Sequence, residues 1–166
     1  MNLDSGSAGM TTMRIDAFLA DAAEAVQGKI YALGIGWNTI YAGTFPVQHP
    51  RLALGMTISV PYTQTNQNHT LTVHLESPDG DRMPIGEDRT ADGSRPVTEL
   101  SSSFNVGRPP LLPAGDEQLV SLAITINGLG FERPEIYSWV ISIDGEPMKR
   151  LPMRVQQLPQ PGPILH

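Results

Sequence analysis

The chain contains no cysteine. Disulfides, thiol catalysis and cysteine-ligated metals are therefore excluded before any pattern is read. It has no Lys/Arg cluster larger than the pair Lys149-Arg150, and its formal net charge is −6. That balance leaves no nucleic-acid footprint, while a modest acidic charge is an ordinary condition for solubility. No run approaches the roughly 18 apolar residues that a membrane helix needs, so no membrane span is expected. The opening MNLDSGSAGMTT holds neither a basic nor an apolar signal region. Residues 1–12 thus read as a disordered lead-in, with Met10 or Met13 as alternative starts, and the cytoplasm is the expected compartment. There is no G-x-S-x-G and no G-K-[ST], and Gly34-Ile35-Gly36 lacks the third glycine and following helix of a dinucleotide loop.

What is present is punctuation and alternation. Sixteen glycines and 15 prolines divide the chain into short pieces, which suits many strands joined by turns. The strongest signal is Glu135 to Val155. Tyr137, Trp139, Ile141 and Ile143 share one face going up, and Leu151, Met153 and Val155 alternate coming back. Asp144-Gly145 between them is the pair that a two-residue type I′ turn requires. Residues 14–42 read as another hairpin about Gln27-Gly28-Lys29, with Tyr31, Leu33, Ile35 and Trp37 on a core face. Leu52 to Val60, Leu71 to Leu75, Thr98 to Val106 and Gln118 to Ile126 supply further strands, the third polar and suited to an edge. Gly43 to Arg51 is predicted to be a connection because of its prolines, Gly86 to Pro96 a surface loop, and Asn127-Gly128 a turn. Tyr137 follows a Pro-containing corner, Arg133-Pro134-Glu135, in the manner of a tyrosine corner.

The expected architecture is all-β: an antiparallel two-sheet β-sandwich, immunoglobulin-like, of about eight strands. One domain is placed over 13–155, with 156–166 as a proline-rich extended tail. Three segments, DAFLADAAEAVQGKIYALGIGW, LALGMTISVPYTQTNQNHTLTVHLESPDG and EIYSWVISIDGEPMKRLPMRV, resemble a family of small bacterial proteins known only as a domain of unknown function. The resemblance implies an immunoglobulin-like sandwich and carries over no catalytic residue.

Candidates for chemistry are few. Asp88, Thr90, Asp92, Gly93 and Glu99 occupy offsets 1, 3, 5, 6 and 12 of a calcium loop, where alternate oxygens point inward and glycine permits the sharp bend. Ca²⁺ through Asp88, Thr90, Asp92 and Glu99 is thus a candidate cofactor, against a plain hairpin loop. Asp79 and Asp81 could join the acids at one end, or simply build the Pro78-Asp79-Gly80 turn. His49, His69 and His74 could serve a hydrolase only with a nucleophile and an orienting acid, and Ser101-Ser102-Ser103 lies in a strand. Asp16 with Asp21, or Glu132 with Glu135, are possible carboxylate pairs for glycoside chemistry. Trp37 or Tyr62 could line a recognition surface. Lys149, Arg150 and Arg154 form a positive strip on the last strand, either protecting an edge or docking an acidic partner. With no assembled catalytic set, the expected function is non-catalytic: contact with an unknown protein partner or with itself as a homo-oligomer. The alternatives are a calcium-dependent binding module and an unrecognised hydrolase or carbohydrate-active protein.

Overall fold

A computed structural model describes residues 12–159. The expected disorder of the lead-in and most of the proline-rich tail fall outside these residues. The described chain is all-β, with one 3-10 turn at Tyr62–Gln64 and no α-helix. Its strands are β1 (Arg14–Ala20), β2 (Ala22–Val26), β3 (Lys29–Leu33), β4 (Thr39–Ala42), β5 (Val47–Val60), β6 (Asn68–Glu76) and β7 (Arg82–Met83). They continue with β8 (Gly86–Thr90), β9 (Gly93–Val97), β10 (Leu100–Asn105), β11 (Gln118–Phe131), β12 (Ile136–Ile143) and β13 (Glu146–Gln157). The strands form four sheets: β1-β5-β11, β10-β6-β12-β13-β4 with β7 beside β6, and the hairpins β2-β3 and β8-β9. The count is thirteen strands rather than about eight.

The two larger sheets share one core. Leu52, Leu54, Met56, Ile58 and Val60 alternate on β5, and Leu71, Val73, Leu75, Tyr137, Trp139, Ile141 and Met153 come from the other sheet. Trp139, Leu54, Met56 and Leu75 have no exposed surface, so each contributes about 2–3 kcal/mol at roughly 25 cal/mol per Å². Asp144 (φ 51) and Gly145 (φ 84) make the anticipated turn between β12 and β13. The tyrosine corner also forms: the Tyr137 hydroxyl donates to the Arg133 carbonyl at 3.3 Å.

Several boundaries differ from the sequence reading. β1 pairs with β5, so the 14–42 hairpin shrinks to β2–β3. β5 starts early, at Val47, and runs through Pro50. Proline is tolerated there because β1 covers β5 only from Ala53 onward, leaving one side of residues 47–52 without a ladder partner. That extension holds β11 straight through Asn127-Gly128, with Leu129 opposite His49 and Phe131 opposite Val47. The ladders are antiparallel except between β13 and β4, where Arg154–Gln157 run parallel to Thr39–Ala42. β13 therefore continues two residues past Val155 into the predicted tail.

The β2–β3 hairpin lies over the outer surface of β5 and β11. That surface is built from small residues, Ala53 and Gly55 on β5 with Ser121 and Ala123 on β11. The hairpin answers with the half-buried Ala23, Ile30 and Ala32, and the Ser121 hydroxyl donates to the Gly28 carbonyl at 2.9 Å. Phe18 crosses β5 at Gly55, where a Cβ would fall 2.3 Å from the ring. Only glycine leaves room for that crossing.

Candidate functional site

The 88–99 segment folds as a tight hairpin. Thr90 stands opposite Gly93 and donates its hydroxyl to the Gly93 carbonyl at 2.9 Å, while Asp88 faces Arg95 across the ladder. Glu99 lies beyond β9, with its carboxylate 2.7 Å from the Arg82 guanidinium. Asp88, Thr90 and Asp92 are thus in one place and Glu99 in another. Among the described residues, no three His, Asp or Glu side chains gather as a metal site. Asp79 and Asp81 belong to a turn closed by Gly80 N–H to Ser77 and Ser77 N–H to Asp81.

The described histidines sit in three separate settings. His69, nearly buried on β6, holds the Asp144 carboxylate through Nδ1 at 2.8 Å and the Gln64 carbonyl through Nε2 at 2.9 Å. Asp144 also accepts the Thr70 N–H at 2.8 Å. Both partners of the ring are acceptors, so both nitrogens donate only as the imidazolium. Burial pulls the His69 pKa down, but the Asp144 hydrogen bond, the Gln64 carbonyl and the Asp144 charge outweigh it, and the net direction is up. The His69 bond, then the Thr70 N–H, hold the Asp144 carboxyl below its ordinary range. His69 thereby ties the β5–β6 connection to the β12–β13 turn.

His74 is buried on the outer face of the six-stranded sheet. Its Nε2 meets Glu76 at 2.9 Å, and Nδ1 lies 3.8 Å from Glu99 without a hydrogen bond. Glu76 also binds Arg150 at 2.6 Å. The His74 bond, then Arg150, hold the Glu76 carboxyl below its ordinary range. The positive strip is thereby broken up: Arg150 is neutralised by Glu76, and Lys149, in register with the core residue Ile141, faces away from Arg150 and Arg154. His49 lies beside Trp37 with ring centroids 5.9 Å apart, and burial lowers its pKa. The described histidines bond Asp144, Gln64, Glu76 and, from His49, the Arg51 backbone, and none of these partners is a serine or threonine hydroxyl. Glu135 binds Arg133, and Tyr62 carries the Arg108 guanidinium 3.8 Å above its ring.

The sequence reading of the first hairpin requires correction. Tyr31, Leu33 and Ile35 do not face the core; they are 59%, 73% and 56% exposed. Trp37 is half-buried, and Tyr137 and Trp139 take the core positions expected of them. The register places Val26 beside Lys29, Glu24 beside Tyr31 and Ala22 beside Leu33 on the outward face. Tyr31, Leu33 and Val26 thus stand exposed on this face, with Glu24 and Lys29 among them.

The profile of a family described as Family of unknown function (DUF6941) matches residues 15–156. The chain belongs to this family. No curated protein matches it in sequence. Among solved structures, the Pseudomonas fluorescens alkylpurine DNA glycosylase AlkC bound to DNA with an abasic site analog is similar at TM-score 0.42 and 12% identity, over 87% of this chain and 30% of that one. A Listeria innocua β-glucosidase is similar at TM-score 0.36 with glucose bound and 0.34 with isofagomine, both at 13% identity. Those two matches cover 87% and 86% of this chain and 16% of the enzyme. The chain spans less than a third of each of these proteins.

Proposed function

We propose that this chain is a non-catalytic, cytoplasmic protein that works by contact with other protein chains, through the outward face of the β2–β3 hairpin. The observation that carries the reading is the exposure of Tyr31 and Leu33 at alternate positions of β3, with Val26 (40% exposed) across the hairpin. Large apolar side chains scattered singly need no explanation, but a contiguous face of them marks an interaction surface. Arg14, Arg82, Arg133 and Arg150, four of the 11 Lys and Arg residues, are each engaged by a carboxylate of this chain.

An immunoglobulin-like framework belongs to the same proposal. With the small hairpins, β4 and the two-residue β7 set aside, the main strands in chain order are β1, β5, β6, β10, β11, β12 and β13. The first, second and fifth share one sheet, and the third, sixth and seventh the other, with the fourth beside the third. An immunoglobulin constant-type sandwich divides its strands the same way except for the fourth. The Tyr137 corner supports the assignment.

A photo-crosslinking side chain in place of Leu33, introduced in native host cells, tests the contact reading. The expected result is a defined protein adduct that Tyr31→Ser abolishes while the melting temperature is unchanged. No adduct, or an adduct indifferent to Tyr31, overturns it.

A further inference from the structure

The proposed contact face ends in an open strand edge whose geometry specifies a partner. Gln27 (φ 49) and Gly28 (φ 74) form a two-residue turn of the type I′ kind. In such a hairpin the closing pair, here Val26 and Lys29, is hydrogen-bonded, and bonded pairs then alternate along the ladder. Lys29, Tyr31 and Leu33 therefore bond to β2, while Ile30 and Ala32 direct their N–H and C=O groups to the open side. Among the described strands β3 pairs with β2 alone.

Several other edges carry protection. β13 contains Pro147 and Pro152, β9 contains Pro96, and β10 presents Ser101, Ser102 and Ser103. The first residues of β11 are flanked by the Gly28 turn and the 105–109 crossing. β3 is charged only at its first residue, Lys29, and its central residues Ile30, Tyr31 and Ala32 include neither charge nor proline. Natural proteins blunt their exposed strand edges, and an apolar edge left open is a template for pairing with another chain.

Resting on the contact reading above, we propose that β3 pairs antiparallel with β3 of a second copy of this chain, about a two-fold axis at Tyr31. Self-pairing in this register uses the outward groups twice. Ile30 bonds Ala32 of the other copy, Ala32 bonds Ile30, and four backbone hydrogen bonds form. Tyr31 then faces its own counterpart at a non-hydrogen-bonded position, where side chains approach most closely and aromatic pairs stabilise a sheet. Each Lys29 lies opposite Leu33 of the other copy, so its aliphatic stem covers an exposed apolar side chain and the two ammonium groups stay apart. The interface is isologous, and it closes at two copies because each β3 has one open side.

The absence of cysteine makes the register directly testable in the full chain. Tyr31→Cys is expected to form a disulfide dimer on mild oxidation, because the two Cβ atoms lie within about 4.5–5.5 Å in such a pair. Leu33→Cys is expected to remain uncrosslinked, since its counterpart is several residues away along the seam. In sedimentation velocity the wild-type chain should dimerise with rising concentration, and Ala32→Pro should raise the dissociation constant at least tenfold. Tyr31→Lys, at a position 59% exposed, is the second variant: it sets like charges opposite each other across the seam, and should weaken the dimer with the melting temperature unchanged. Equal cross-linking at both positions, or a monomer at every concentration, overturns the seam. A monomer whose position 33 still captures a different protein in host cells refutes self-pairing alone. Absence of any adduct refutes the contact reading as well.

Discussion

The His69–Asp144 bond makes a specific demand on stability. In Asp144→Asn the side chain still tolerates the left-handed turn position and still accepts the Thr70 N–H, but it presents no anion to His69. A hydrogen bond between charged groups contributes about 1.5–3 kcal/mol, and because Asp144 is half exposed solvent screening reduces this to about 1–2 kcal/mol. In a domain of this size that corresponds to roughly 3–6 °C in melting temperature. The raised His69 pKa fixes the pH window. Its stabilisation is complete below the unfolded-state value of 6.5 and disappears as pH rises through the higher folded-state value. The lowered Asp144 pKa sets the acid limit, since its part is present above 3.8 and lost as pH falls through the folded value. Urea denaturation of wild type and variant at about pH 5.5 and about pH 8.5 isolates this pair, because other titrating groups cancel in the difference. The difference should be largest at the lower pH and shrink at the higher. A constant difference, or a His69 NMR titration midpoint at or below 6.5, refutes the reasoning.

Gly55→Ala should destabilise by about 1–3 kcal/mol, since its methyl meets the Phe18 ring at 2.3 Å, and pairing it with Phe18→Ala should recover part of the loss; strict additivity in a double-mutant cycle would count against the crossing. Tyr137→Phe should cost about 0.5–1.5 kcal/mol in urea denaturation by removing the bond to Arg133, and a neutral result would show the corner to be ornamental. Glu76→Gln should lower stability near neutrality, where the ionised carboxylate joins His74 and Arg150. Its folded pKa is lowered, so the wild-type advantage should hold above 4.5 and fade as pH falls through the folded value.

Much of the framework was legible in local pattern. Asp144-Gly145 sits between two alternating strands, and both residues adopt the positive φ that their identities favour. Asn127-Gly128 carries the same kind of turn signal yet stays in β11, because residues 47–51 offer it a long-range ladder that outweighs the local preference. Alternation assigned Tyr31 and Leu33 to one face correctly but could not say which face is covered. The answer depends on Ala53, Gly55 and Ala123, small residues against which the hairpin lays its Ala23, Ile30 and Ala32 side. The polar segment after Gly86 hid a ladder because β8 and β9 have almost no apolar residues to alternate. The His69–Asp144 pair spans 75 positions, and no spacing rule reaches that far.

The parallel ladder between β4 and β13 has a consequence for how the protein is made. Thr39–Ala42 emerge from the ribosome long before Arg154–Gln157, the segment that supplies their ladder. Until that segment appears, β4 is a ribbon awaiting its mate, exposed to chaperones and to wrong pairings. Deleting residues from 154 onward would therefore unlatch a piece of sheet near the start of the chain, and the damage would surface far from the cut.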